Sequence, residues 1–202
     1  MDTSRPALEA GAEADHGAEA DRGHAPGRLR LVEELIDTVE LDSGDDELAT
    51  ATSTRAWLRG RGLLRPGERV DDEGRRALVE VREALRDLTA ANSGERVRRD
   101  TLATLERHAA DGLLSVQVGD HTTELVGAGP GVRGAIGTLL GVVHDAMVDG
   151  TWSRLKTCRD ETCRWAYYDH SRNRSATWCS MAACGNRAKA RAFRARHHPS
   201  TS

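Results

Sequence analysis

Four cysteines, all within 27 residues of a 202-residue chain, are the side chains here that could do metal chemistry. They read Cys158-x4-Cys163, then fifteen residues, then Cys179-x4-Cys184. Two close pairs separated by a loop let two turns each present two thiolates to one tetrahedral ion. Such a C-terminal segment of about 50 residues is at the lower limit for an independent core, so something must staple it. A structural zinc ion is worth about 10–16 kcal/mol in finger peptides, whereas a disulfide typically gives about 2–4 kcal/mol. One structural zinc held by Cys158, Cys163, Cys179 and Cys184 is therefore expected. The alternatives are two disulfides, redox-reactive thiols, unligated buried cysteines, and His170, His197 or His198 in place of one thiolate. Four thiolates leave no open coordination position, and Asp169 is the only carboxylate in the loop, so a catalytic zinc is not expected.

The segment after Cys179 reads as a helix with two faces. Ala182, Asn186, Ala190 and Phe193 fall on one stripe, while Arg187, Arg191, Arg194 and His198 fall on another. Phe193 is expected to anchor the helix in a miniature finger core with Trp165, Tyr168 and Trp178. Arg187, Arg191 and Arg194 are expected to project, flanked by Lys189 and Arg196, with Arg172 and Arg174 adding donors from the loop. A guanidinium fork matches phosphate oxygens and the guanine edge, so these seven residues are the candidate nucleic-acid contacts. A merely solvated helix face is the competing account, and Trp165, Tyr167, Tyr168 and Trp178 could alternatively stack on bases. Gly185 is expected to supply a positive φ or a close approach to sulfur.

These residues carry a family resemblance. The runs Arg154-Leu155-Lys156-Thr157-Cys158, Trp165-Ala166-Tyr167-Tyr168-Asp169-His170-Ser171-Arg172-Asn173-Arg174 and Trp178-Cys179-Ser180-Met181-Ala182-Ala183-Cys184-Gly185-Asn186-Arg187 closely resemble the CGNR zinc finger, with the tetrad Cys184-Gly185-Asn186-Arg187 intact. Residues from about 31 to 152 resemble the ABATE-type domain usually joined to it, with Glu34-Leu35-Ile36-Asp37-Thr38 in place of a Phe-Val-Asn-Thr-like run. The resemblance implies a bacterial, stress-related transcriptional regulator whose finger binds DNA.

The charge distribution points to the same end of the chain. Residues 151–202 hold 11 Lys and Arg against 3 Asp and Glu, or +8, so the total of −3 leaves −11 for residues 1–150. Six of the seven aromatic residues also follow residue 150, so the first domain must build its core from Leu, Val, Ile and Ala. No stretch of about 18 apolar residues and no signal-peptide pattern occur, which predicts a cytoplasmic protein that does not contact membranes. No nucleophile–base spacing stands out, and Gly127-Ala128-Gly129-Pro130-Gly131 lacks the lysine of a phosphate loop, so no enzyme is expected.

The elements that must position the finger follow from periodicity. Residues 1–28 are expected as a disordered tail. Leu31, Val32, Leu35, Ile36 and Val39 predict a helix, and a short one over 54–59 brings Trp57 and Leu58 inward. A long helix capped by Asp71 or Asp72 carries Leu78, Val81, Leu85 and Leu88 inward, with Arg75, Arg76, Glu80, Arg82, Glu83 and Arg86 outward. Leu102, Leu105 and Ala109 mark another helix. The alternation of Leu114, Val116 and Val118 predicts a hairpin turning at Gly119-Asp120, and Ile136 to Met147 read as the central, nearly all-apolar helix. The expected fold is α+β: a mainly helical N-terminal domain over 29–150 with a small β-hairpin, then a treble-clef-like or knuckle zinc finger over 151–198 ending in a basic helix, then a tail at 199–202. DNA is the expected partner, with a small-molecule or protein signal acting on the first domain and a homodimer compatible with the sequence. The alternatives are a zinc-stapled protein- or RNA-interaction module and a thiol-based redox switch.

Overall fold

The computed structural model describes residues 23–197. The tail expectations for 1–22 and 199–202, and His198 of the arginine stripe, lie outside the described residues. Residues 23–28, expected as the end of a disordered tail, are instead placed: Ala25 is buried and its N–H donates to Glu33 Oε2 at 2.7 Å.

Helix α1, Leu29–Ile36, buries Leu29, Val32, Leu35 and Ile36. Helix α2, Ala51–Gly60, starts at a capping box in which the Thr50 hydroxyl accepts from the Ser53 N–H at 3.1 Å, and it turns Trp57 and Leu58 inward. Helix α3, Asp72–Ala91, is capped by Asp71, whose carboxylate accepts from the Gly74 N–H at 2.8 Å. Its apolar stripe of Leu78, Val81 and Leu85 is fully buried. Helix α4, Arg99–Gly112, leads into strands β1, Leu114–Val118, and β2, Thr123–Gly127, which pair antiparallel with Val118 opposite Thr123. The Gly119 N–H donates to the Thr122 carbonyl at 2.8 Å, so the hairpin turns at the two residues Asp120 and His121, one position later than expected.

Helix α5, Gly131–Val148, is the central element, packed by α1, α3, α4 and β2. Three glycines let backbone come against it. A Cβ on Gly134 would stand 2.2 Å from the Gly129 carbonyl oxygen, one on Gly137 2.5 Å from that of Gly112, and one on Gly141 2.9 Å from that of Leu125. A 3-10 turn at Trp152–Arg154 then feeds strands β3, Leu155–Thr157, and β4, Ala166–Tyr168, paired antiparallel. A π-helical turn, Met181–Gly185, runs directly into helix α6, Asn186–His197.

The finger's first hairpin is built into the main core. Trp152, Leu155, Ala166 and Tyr168 join the same buried cluster as Leu35, Ile36, Leu85 and Leu139. The Thr89 and Thr157 hydroxyls meet at 2.8 Å, Asn92 Nδ2 donates to the carbonyls of Trp152 and Leu155 at 2.8 Å each, and Asp37 Oδ1 accepts from the Ala166 N–H at 2.7 Å.

Three expectations of side-chain orientation are corrected. Arg82 and Arg86 do not face out but are buried, at 4% and 3% exposure. Arg82 donates to Asp46 Oδ1 at 2.7 Å and to Thr38 Oγ1 at 3.1 Å, while Arg86 donates to the Ile36 carbonyl and to Glu83. They satisfy the C-terminus of α1 and the loop after it, a demand that periodicity along α3 cannot reveal. Strand β1 is exposed along its whole length despite its alternation, because α5 packs against its partner β2 and barely reaches β1. Met147, near the end of α5, is half exposed.

Candidate metal centre

The first cysteine pair comes from the turn of the β3–β4 hairpin. Cys158 directly follows β3 and its N–H donates to the Trp165 carbonyl at 2.8 Å. The Asp160 carbonyl accepts the N–H groups of Cys163 at 2.9 Å and Arg164 at 3.0 Å, closing a knuckle that puts Arg164 at φ 47°. The second pair brackets the π-helical turn. Ser180 is buried, its hydroxyl accepts the Ala183 N–H at 3.3 Å, and its carbonyl accepts the Gly185 N–H at 3.0 Å. The Arg159 N–H donates to the Thr177 carbonyl at 3.3 Å, tying the two knuckles together.

Cys158, Cys163, Cys179 and Cys184 thereby bring their sulfur atoms within 4.8 Å of one another, with Cys158 and Cys184 buried. Cys163 and Cys179 stand 3.6 Å apart and Cys179 and Cys184 3.7 Å apart, as free thiols. A tetrahedron with metal–sulfur bonds of about 2.3 Å has edges of about 3.8 Å, so these separations fit one tetrahedral ion at the centre. The electrostatics agree. Hydrogen bonds from Cys163 and Cys179 draw the Cys158 thiol down to about 2, while the contact with Cys158 pushes Cys163 and Cys179 up and burial pushes Cys184 up. A central dication stabilises all four as thiolates. Four sulfur atoms converging at this spacing make this a metal-binding cysteine cluster.

Packing around the cluster corrects the expected finger core. Tyr167 is the aromatic that packs with Cys158 and Cys184, its hydroxyl donating to the Ala176 carbonyl at 2.8 Å. Tyr168 points the other way into the main core, because successive residues of β4 face opposite sides. Trp178 packs on the cysteine cluster as expected, whereas Trp165 is half-buried and lines a cavity of about 300 Å³ with Asp37 and Glu34 of the α1 region. Phe193 anchors nothing: it is 56% exposed, since α6 buries no residue. Gly185 is absent from the positive-φ residues. A Cβ there would meet Met181 Sδ at 2.8 Å and Trp178 Cδ1 at 3.3 Å, so the position gives room to those side chains.

Sequence reading missed a buried ion pair. Lys156 Nζ donates to Asp169 Oδ2 at 2.7 Å and to the Arg174 carbonyl at 2.6 Å, with the two side chains 6% and 0% exposed. Asp169 also accepts the N–H groups of Ser171 at 2.9 Å and Ala176 at 3.0 Å. Burial works against its ionisation, but hydrogen bonding by Lys156 and Ser171 prevails and holds the carboxyl down to about 2. The available signal was that Lys156 is one of only two lysines among 29 basic residues.

The candidate nucleic-acid contacts divide into two groups. Arg187 Nε donates to Asp160 Oδ2 at 3.1 Å and its Nη2 approaches Cys184 Sγ at 3.0 Å, while Arg191 Nη2 lies 3.4 Å from Asp160 Oδ1. Burial opposes ionisation of Asp160, yet hydrogen bonds from Arg187 and Thr162 keep its carboxyl below the usual range. Arg172, Lys189, Arg194 and Arg196 are exposed, and Arg174, also exposed, donates to Ser153 Oγ at 3.2 Å. None of these five meets a carboxylate among the described residues.

Residues 29–150 match the family model ABATE, described as "Putative stress-induced transcription regulator", and residues 154–197 match the CGNR zinc finger. No curated protein matches the chain. Among the described residues, no helix is long and apolar enough to cross a membrane.

Proposed function

The chain belongs to the ABATE family and carries a CGNR zinc finger at its C-terminal end, and from that premise we propose that it is a non-enzymatic, DNA-binding transcriptional regulator. One structural zinc ion, held by Cys158, Cys163, Cys179 and Cys184, folds the finger. Zinc fits the set best because four thiolates at tetrahedral spacing suit a borderline-soft dication, and their reduced state suits a cytoplasmic setting. The first domain receives a signal.

The observation that carries this reading is that five of the candidate contacts, Arg172, Arg174, Lys189, Arg194 and Arg196, are exposed and meet no carboxylate among the described residues. Three of them lie on α6, which buries nothing, and all five belong to a segment of net charge +8. A polyanion would complete them. Arg187 and Arg191 have a different task here. Asp160 and the Cys184 sulfur occupy them, so they position α6 against the metal centre and leave only their outer edges to a ligand.

Gel-shift titration of the full chain tests the reading. If five cations neutralise phosphates, log K falls with log salt at a slope of about −4 to −5. Binding is expected to disappear on chelation and in a Cys184→Ser protein. A flat salt response, or undiminished binding after the metal is stripped, overturns it.

A further inference from the structure

The outward face of α6 carries an aromatic pair that the finger itself does not use. Phe193 and His197 stack with ring centroids 4.0 Å apart and planes 23° apart, and His197 Nδ1 donates to the Phe193 carbonyl at 2.9 Å. Phe193 is 56% exposed. Because Arg187 and Arg191 turn toward Asp160, the opposite stripe of the helix points into solvent. At about 100° per residue that stripe consists of Asn186, Lys189, Ala190, Phe193, Arg196 and His197. An aromatic plane thus stands between two cations that meet no carboxylate among the described residues.

We propose that the Phe193–His197 stack is a base-stacking platform: α6 receives an unstacked base of a nucleic acid on Phe193 while Lys189 and Arg196 hold the flanking phosphates. The inference rests on the DNA-binding reading and deepens it. Exposed aromatic rings beside phosphate-binding cations are how proteins hold unpaired bases or wedge between base steps, and each stacked base contributes about 1–3 kcal/mol. The stripe does not suit a lipid surface, since Phe193 is its only large apolar side chain and a membrane-seated helix needs a broad apolar face. Nor does Phe193 support the fold, so its replacement leaves the core and the cysteine cluster untouched.

The test uses the zinc-loaded full chain and two short DNA duplexes, one fully paired and one with a single bulged 2-aminopurine, titrated across salt concentrations. The wild type is expected to prefer the bulged duplex by about tenfold and to change the 2-aminopurine emission. Phe193→Ala is expected to lose the preference and the emission change while keeping zinc content and the salt slope. Phe193→Trp is expected to retain both. If wild type and Phe193→Ala bind the two duplexes alike, the platform is overturned while the DNA-binding reading stands. If the wild type binds neither duplex, both fall. A Phe193→Ala protein whose only change is a lower oligomeric mass, or a wild type that binds anionic vesicles instead of DNA, likewise overturns the platform.

Discussion

Asp160 shows how one carboxylate can reassign the residues around it. It is 1% exposed, sits inside the first cysteine knuckle, and accepts from Arg187 and Arg191 across 27 and 31 residues of chain. Replacing it with Asn removes the charge that draws both guanidinium groups toward the sulfur cluster. The expected result for Asp160→Asn is a loss of metal affinity of about 10–100-fold, read by competition with a chromogenic chelator. Arg194→Ala is expected to leave metal affinity unchanged and reduce the salt slope of DNA binding by about 1. The Lys156–Asp169 pair has a different consequence. Asp169→Ala leaves an ammonium group buried without its counter-charge, and denaturant unfolding is expected to show a loss of about 3–5 kcal/mol. Since the folded carboxyl titrates near 2, below its ordinary value of 3.8, its contribution is complete above that ordinary value and is lost as pH falls toward 2. An Asp169→Asn protein should show a flatter acid limb than the wild type over that window.

At the scale of elements, α5 works because its glycines admit neighbouring backbone. Alanine is ordinarily the better helix former by about 1 kcal/mol. At Gly134, however, the added Cβ would meet a carbonyl oxygen at 2.2 Å, and that oxygen belongs to backbone that cannot rotate away. Gly134→Ala is therefore expected to destabilise the protein by about 1–3 kcal/mol, visible as a lowered Tm. A raised Tm would mean that the 127–129 segment adjusts freely. Helix α3 has a second role beyond its apolar stripe. Near its C-terminal end Thr89 and Asn92 bond the finger's strand β3 and the turn before it, while Arg82 and Arg86 gather the end of α1 and its following loop.

At the scale of the molecule, the finger and the first domain share one buried cluster through Leu155, Ala166 and Tyr168. Arg164 also pairs with Glu95 at 3.3 Å, and Arg159 donates to the Ser93 carbonyl at 3.1 Å. Metal binding at the knuckles is therefore connected to α3 by contiguous packing and hydrogen bonds. Chelation is expected to release hydrogen-exchange protection not only in 158–184 but also at the amides around 89–92. Unchanged protection at 89–92 would show that the two regions open independently. The acidic first domain and the basic finger also give the protein a marked charge asymmetry.

Local chemistry made much of this protein legible from residues alone. The x4 spacing of two cysteine pairs points to one shared metal site, the 3.6-residue period of Leu78, Val81 and Leu85 to a buried helix face, and Asp71 or Asp72 to the start of that helix. Each of these depends on neighbours within a few residues. What lies across from a side chain is a long-range matter, and only the tertiary structure decided it. Tyr167 rather than Tyr168 meets the sulfur atoms because of which face of β4 the main core claims. Arg82 and Arg86 are buried because a carbonyl, a hydroxyl and a carboxylate from α1 and the loop after it await them, Arg187 and Arg191 turn toward Asp160 because its carboxylate is there, and Phe193 stands in solvent because, among the described residues, no element packs over it.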